Sequence, residues 1–182
     1  WNGLDESGVA AASCPTAITT TANGCLIPGS RAEQPAQFWD AWDGELAEAG
    51  VDFVKVDSQS STSVMVRGTE SYGEATWGRR QALDEVTSRR FGGALINCMG
   101  MAPEDYWHRP SSPITRSSDD YLPHNPDSLG EHLIQNAYCA LLMGELYHCD
   151  WDMFWTEHPH ARVHAVLRLL SGGPVYCSDA CG

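Results

Sequence analysis

Basic side chains are scarce in this chain. Lysine and arginine together number 11 against 24 aspartates and glutamates, giving a formal net charge of −13 over 182 residues. Nucleic acids and anionic membrane surfaces are held by clustered positive charge, so neither is an expected partner. No apolar run approaches the ~20 residues that cross a bilayer, and no secretory leader is visible at the start. The seven cysteines, at positions 14, 25, 98, 139, 149, 177 and 181, include no C-x-x-C pair. An odd count without that spacing points to a reducing, cytoplasmic setting rather than a disulfide framework. Cys98, Cys149 and Cys177 fall in apolar strand-like runs, where a thiol packs as a small hydrophobe. Also missing are a Gly-rich nucleotide turn, a P-loop, a G-x-S-x-G elbow and an H-E-x-x-H helix. Nucleotide, serine-hydrolase and zincin chemistries drop out with them.

What is present is an alternation of helical and strand-like segments. The chain opens at Trp1 rather than at a methionine and stops just after a strand-like run, so a fragment of a larger domain is expected. Residues 1–34 show no period and read mostly as loop. From Pro35, Phe38, Trp39, Trp42 and Leu46 mark a helical face that Gly50 ends. The run Val51-Asp-Phe-Val-Lys-Val-Asp57 follows, with the composition of a buried parallel strand that ends on a carboxylate. Residues 78–91 form an amphipathic helix stopped by Gly92-Gly93. Ala94–Met99 and Ile114–Asp120 are further strands. Ser128-x-x-Glu131 matches a capping box that opens a helix with Leu133, Ile134, Ala137, Tyr138, Leu141 and Leu142 on one broad face. Leu146–Phe154, a helix over 159–171 and a last strand over Val175–Asp179 complete the order. Such alternation predicts an α/β fold with parallel strands and right-handed crossovers. Without a nucleotide turn, the pattern favours part of a (β/α)8 barrel over an open sheet.

Most of these strands end in aspartate: Asp57, then Asp119-Asp120, then Asp150 and Asp152, then Asp179. In α/β proteins chemistry sits at the carboxyl ends of strands, although aspartate is also a common helix cap after a βα turn. Carboxylates that meet from different strands suit two chemistries. One is glycoside cleavage or glycosyl transfer, in which one acid attacks the anomeric carbon and another protonates the leaving oxygen. The other is divalent-metal binding by the aspartate cluster, as in metal-assisted hydrolysis or enolisation. The His158-x-His160-x3-His164 cluster reads as a solvated helix face rather than a metal site, because no further ligand stands at the right spacing. The many tryptophans and tyrosines fit a sugar ligand and a core equally well.

Three motifs in this order are similar to one group of enzymes: Gly50-Val-Asp-Phe-Val-Lys-Val-Asp57, Arg116-Ser-Ser-Asp-Asp120 and Cys149-Asp-Trp-Asp-Met-Phe154. His158-Pro159 and Gly173-Pro-Val-Tyr-Cys-Ser-Asp179 add to the match. The chain resembles, over residues 35–182, the raffinose synthase, seed imbibition protein and alkaline α-galactosidase group of glycoside hydrolase family 36. The resemblance implies a (β/α)8 barrel, here from about the end of its third strand through its eighth. It implies retaining action on α-galactosides, as hydrolase or galactosyltransferase, with raffinose-family oligosaccharides or galactinol as substrates and neither a cofactor nor a metal. By motif, Asp57 is the implied nucleophile and Asp119 the implied general acid/base. Lys55 and Arg116 are implied sugar contacts, Asp120, Asp150 and Asp152 are implied to line the same pocket, and Trp151 either stacks on a sugar face or packs beneath it. A metal-dependent barrel enzyme and a non-catalytic carbohydrate-binding relative remain as rival readings.

Overall fold

A computed structural model describes residues 3–31 and 33–180. The described residues cluster into two compact units that meet in sequence at the Ser112–Pro113 bond.

The first unit opens with a short helix α1 (Val9–Ser13), a 3-10 turn over Pro15–Ala17 and an antiparallel pair, β1 (Ile18–Thr20) and β2 (Leu26–Pro28). Elements of three to five residues are too short to show a period, so this part reads as loop in the sequence. Helix α2 (Gln34–Glu48) carries Pro35 in its first turn and leads to β3 (Val54–Val56). A one-turn helix α3 (Thr62–Met65) precedes the long α4 (Tyr72–Phe91). Helix α4 begins well before residue 78: its first turns bury the small Ala75 and Thr76, which make no apolar stripe, and Arg79 and Arg80 follow on the inward side. Those guanidiniums are buried but paired: Arg79 with Glu70 at 3.0 Å and Arg80 with Asp105 at 3.0 Å. Gly92 caps α4 in the left-handed region at φ 61, and a Cβ on Gly93 would stand 2.5 Å from the Ser111 carbonyl oxygen. Only glycine fits there. The chain then enters β4 (Leu95–Asn97), which pairs in parallel with β3 through Val54–Leu95, Lys55–Ile96 and Val56–Asn97. A one-turn helix α5 (Pro103–Tyr106) follows. Phe38, Trp39, Val54, Leu83, Val86, Phe91 and Leu95 form the apolar core between α2, α4 and the strands.

The second unit contains β5 (Ile114–Arg116), α6 (Ser128–Met143), β6 (His148–Asp150) and α7 (Ala161–Ser171). Strands β5 and β6 are parallel, with Arg116 opposite Asp150. The expected last strand is reduced to a parallel bridge between Phe154 and Cys177, and Cys177 is exposed rather than buried in an apolar strand. One further expectation is overturned here. Ser128 does not cap α6; it is the first helical residue, and its hydroxyl accepts a hydrogen bond from the Leu122 N–H at 2.8 Å. The apolar face of α6 is real but points outward, with Tyr138, Leu141 and Leu142 exposed, while Ser128, His132, Asn136 and Met143 are buried. The reason is local: the loop after β5 leaves backbone groups that need hydrogen-bond partners, and Ser128, His132 and Gln135 on the polar side of α6 supply several of them.

Asp43 on α2 is almost fully buried, and its Oδ2 meets no donor among the described residues. Burial pushes its carboxyl up to about 6, with Arg90 opposing and Asp40 adding to the shift. A folded-state value above the unfolded one penalises the charged form. The contribution of Asp43 to stability is therefore greatest below pH 4 and is lost as pH rises through 6. Asp43→Asn keeps the shape and removes the charge. Urea unfolding should show it more stable by about 1–3 kcal/mol at pH 7, with the gain fading toward pH 4.

Candidate active site

In the first unit the candidate residues are Lys55 and Asp57. Side chains alternate across a strand, so these two share one face at the carboxyl end of β3. Both are exposed, and Lys55 is the chain's only lysine. Ser58 then turns the chain in the left-handed region (φ 52, ψ 36), which brings its N–H back onto Asp57 Oδ1 at 2.6 Å. Partial burial raises the Asp57 carboxyl, but the Ser58 amide, a hydrogen bond from the Cys98 thiol and the Lys55 charge outweigh it. The net effect holds the group below the usual aspartate value. Cys98 is fully buried at the exit of β4, and its N–H pairs with the Val56 carbonyl at 3.0 Å.

Among the described residues, three non-glycines have positive φ: Ser58, Met99 and Asp152. Each lies two positions past the end of a strand, namely β3, β4 and β6. Such a backbone costs about 1–3 kcal/mol per residue and persists only where surrounding contacts enforce it. No glycine marks these corners, so nothing in the sequence announces them.

The second unit assembles Arg116, Asp120, Asp150 and Asp152 around one guanidinium. Arg116 is fully buried, and its Nη2 donates to Asp152 Oδ2 at 2.7 Å, to Asp120 Oδ1 at 3.0 Å and to the Asp119 carbonyl at 2.8 Å. Asp150 is also fully buried; it accepts from the Asp152 N–H at 2.9 Å and from the Tyr176 hydroxyl at 3.0 Å. Burial, then the charges of Asp150 and Asp152, push the Tyr176 phenol upward, so it stays a donor. Asp152 accepts a second hydrogen bond from the Tyr121 N–H at 2.8 Å. The carboxylates of Asp119 and Asp120 remain exposed. Asp119 is bracketed by one amide: its N–H donates to Gln135 Oε1 at 2.9 Å, and Gln135 Nε2 donates to its Oδ2 at 3.2 Å.

His132 lies beneath this loop. Asn136 Nδ2 is 3.1 Å from His132 Nδ1, so Nδ1 is the acceptor; Nε2 therefore carries the proton and donates to the Asp119 carbonyl at 3.0 Å. Desolvation, helped by the Arg116 and Arg168 charges, pulls its pKa down to about 4, and the ring is neutral. The cluster read as a solvated His face divides. His160 is exposed, but His164 is fully buried between the Tyr121 hydroxyl at 2.9 Å and Arg168 at 3.1 Å. Helix α7 turns His164 and Arg168 inward because Arg168 also serves the Asp152 and Met153 carbonyls.

The structure thus joins Lys55 to Asp57 in one unit and Arg116, Asp120, Asp150 and Asp152 in the other, with Trp151 half-buried beside them. Asp179 acts as a cap, accepting from the Thr156 N–H at 2.7 Å and its hydroxyl at 2.8 Å. Among the described residues no three His, Cys, Asp or Glu side chains stand close enough to share a metal ion. Sequence reasoning passed over Cys98 as packing, and it passed over His132, Gln135 and Tyr176. The first three carried no signal beyond their residue type, and Tyr176 lay inside a motif already noted.

Comparison with known proteins follows the same lines. The family described as raffinose synthase or seed imbibition protein Sip1 matches residues 18–182. A probable galactinol–sucrose galactosyltransferase 6 from Arabidopsis thaliana is 37% identical over 147 residues, covering 80% of this chain and 20% of that protein. The galactinol–sucrose galactosyltransferase of Pisum sativum is 32% identical over 170 residues (86% and 21%). Stachyose synthase of Pisum sativum is 28% identical over 162 residues (82% and 19%). The chain therefore spans about a fifth of the length of these relatives. Among solved structures, TtGalA, an α-galactosidase from Thermus thermophilus in complex with stachyose, superposes with a TM-score of 0.65 at 13% identity, over 96% of this chain and 43% of that one. That likeness shows the fold, a partial (β/α)8 barrel. The family match covers most of the chain, and the protein belongs to the raffinose synthase and seed imbibition protein family.

Proposed function

We propose that this chain supplies both reacting carboxylates of a retaining enzyme that acts on α-galactosides. The observation that carries the reading is Asp57: an exposed carboxylate at the end of a parallel strand, held ionised by an amide, a thiol and the only lysine. A carboxylate kept charged and exposed at a strand end is suited to attack. An Asp57 oxygen bonds to the anomeric carbon as the bond to the leaving oxygen breaks, and Asp119 gives that oxygen its proton. Asp119 then takes a proton from water or a sugar hydroxyl, whose oxygen displaces Asp57 from the galactosyl ester. Asp119 suits the shuttle better than its neighbour: Arg116 pairs with the Asp120 carboxylate, whereas Asp119 is held by the neutral Gln135 amide.

Lys55, Asp120 and Trp151 are the candidates for contact with sugar hydroxyls or a sugar face. The burial of Arg116, Asp150 and Asp152 supports a different task, holding the loop that carries Asp119 and Asp120. The names of the relatives support galactinol or raffinose-type oligosaccharides as donors, and the acceptor is either water or a second sugar.

A slow fluorinated galactoside should label the Asp57 peptide, read by mass spectrometry; label on another acid, or none alongside normal turnover, would remove Asp57 from this role. Asp119→Ala should slow galactosides with poor leaving groups by about 100-fold or more, yet leave a substrate with an activated leaving group far less affected in the first step. Because Asp57 must be ionised to attack and its pKa is lowered, the acid limb of kcat/KM should lie below pH 3.8, the ordinary aspartate value. Cys98→Ala removes a donor and should move that limb upward. Product analysis with raffinose, and with galactinol plus sucrose, separates hydrolysis from transfer.

A further inference from the structure

Beneath the exit of β3 runs a buried chain of hydrogen bonds that the reaction scheme above does not use. It starts at Asp84 on α4. The Ser112 hydroxyl donates to Asp84 Oδ1, and the Ser111 N–H donates to the other oxygen at 2.8 Å. Asn97 Nδ2 donates to Ser112 Oγ at 3.0 Å. Gln59 Nε2 donates to Asn97 Oδ1 at 2.9 Å and to the Val56 carbonyl at 3.1 Å. Asp84, Asn97, Gln59 and Ser112 are each at most 1% exposed, so water does not compete for any link.

The direction of the chain is forced. The Asp84 carboxylate accepts only, so Ser112 must donate to it and is left to accept from Asn97. The Asn97 amide is thereby oriented with its oxygen toward Gln59, and Gln59 must present its NH2. Both N–H bonds of that NH2 are used. The Gln59 Oε1, by contrast, is buried without a hydrogen-bond partner, and a Cβ on Gly100 would stand 2.9 Å from it. A buried, unsatisfied acceptor is costly, so it is the two donor bonds that hold this amide in place. The main chain of Gln59 is fastened too: its N–H donates to the Cys98 carbonyl at 3.3 Å, and its carbonyl accepts from Arg80 at 3.1 Å. Val56 directly precedes Asp57, and Gln59 follows the left-handed Ser58. Asp57 and Ser58 are thus spanned by one side chain fixed at both ends.

We propose that Gln59 is a positioning residue for Asp57, held in register by the relay from Asp84. The inference rests on the reading of Asp57 as nucleophile. Gln59 touches no substrate in this scheme; it fixes the backbone on either side of the attacking carboxylate, so that Asp57 meets the anomeric carbon without first being ordered.

The test uses the protein that carries this chain, with Gln59→Met, which keeps the length of the side chain and removes both donors. Trapping of a fluorinated galactoside on Asp57 should slow about 100-fold, while the inhibition constant for galactose changes little; the thermal midpoint should fall, because Asn97 Oδ1 loses a buried donor. Asp57→Gly with azide and an activated α-galactoside should release β-galactosyl azide, the azide nitrogen replacing the missing carboxylate at the anomeric carbon. Adding Gln59→Met in that background should leave the azide reaction almost unchanged, because there is no carboxylate left to position. If Gln59→Met does not fold, Ser112→Ala breaks the same relay farther away and should give a smaller loss in the same direction. Unaltered trapping in the folded variant overturns the proposal. So does a loss carried in full into the azide reaction, which would make Gln59 a support of the fold alone. Label on a residue other than Asp57, with no azide product from Asp57→Gly, defeats the nucleophile assignment and this proposal with it.

Discussion

A buried guanidinium must be given partners, because an unpaired charge removed from water costs several kcal/mol. Arg116 has no exposed surface, and the second unit is arranged to meet its demands. Asp152 and Asp120 provide the charge, and the Asp119 carbonyl provides a further acceptor. Each of those partners then needs fixing itself. Asp152 adopts a left-handed backbone and ties Tyr121 to the end of β6, Asp150 holds the Asp152 N–H, and Tyr176 closes the set. The outcome is a rigid floor under a short loop whose two carboxylates face solvent. Removing one partner would leave the rest of the network with a charge it cannot solvate, so the floor behaves as a unit.

The first unit meets a similar problem with neutral groups. Where β3 ends, the Val56 carbonyl accepts from both the Cys98 N–H and Gln59 Nε2, and the chain must still aim a carboxylate outward. Asn97 and Ser112 continue the series behind Gln59, and one anion, Asp84, sets its polarity. The two units thus use opposite means: a cation surrounded by anions beneath Asp119, and a string of amides and a hydroxyl beneath Asp57. In both, the candidate reacting acid stays exposed while the network beneath it is buried.

Much of the element order was legible because helices of eleven residues or more carry apolar positions at a helical period, and Gly50, Gly92 and Gly172 mark their ends. Inward and outward were less legible. Periodicity shows that α6 has an apolar face, but not that its polar face, with His132 and Asn136, is the one turned in. The same holds for His164 and Arg168 on α7, and for Arg79 and Arg80 on α4. A buried polar residue has the same letter as a solvated one; only the partner across the fold distinguishes them.

By itself, then, the sequence determined the alternation of helix and strand, the placing of Asp57, Asp119, Asp120 and Asp150 at strand ends, and the family through three spaced motifs. Those are local facts, written in period, turn residues and short strings. The tertiary structure decided that Arg116 and Asp150 are buried while Asp119 and Asp120 are exposed. It likewise decided that Cys98 faces a carboxylate instead of merely packing, and that three non-glycine corners are held in a strained conformation. Each of these depends on residues tens of positions apart meeting in space, as Asn97 meets Gln59 and Asp152 meets Arg116. No pattern read along one chain segment contains that information.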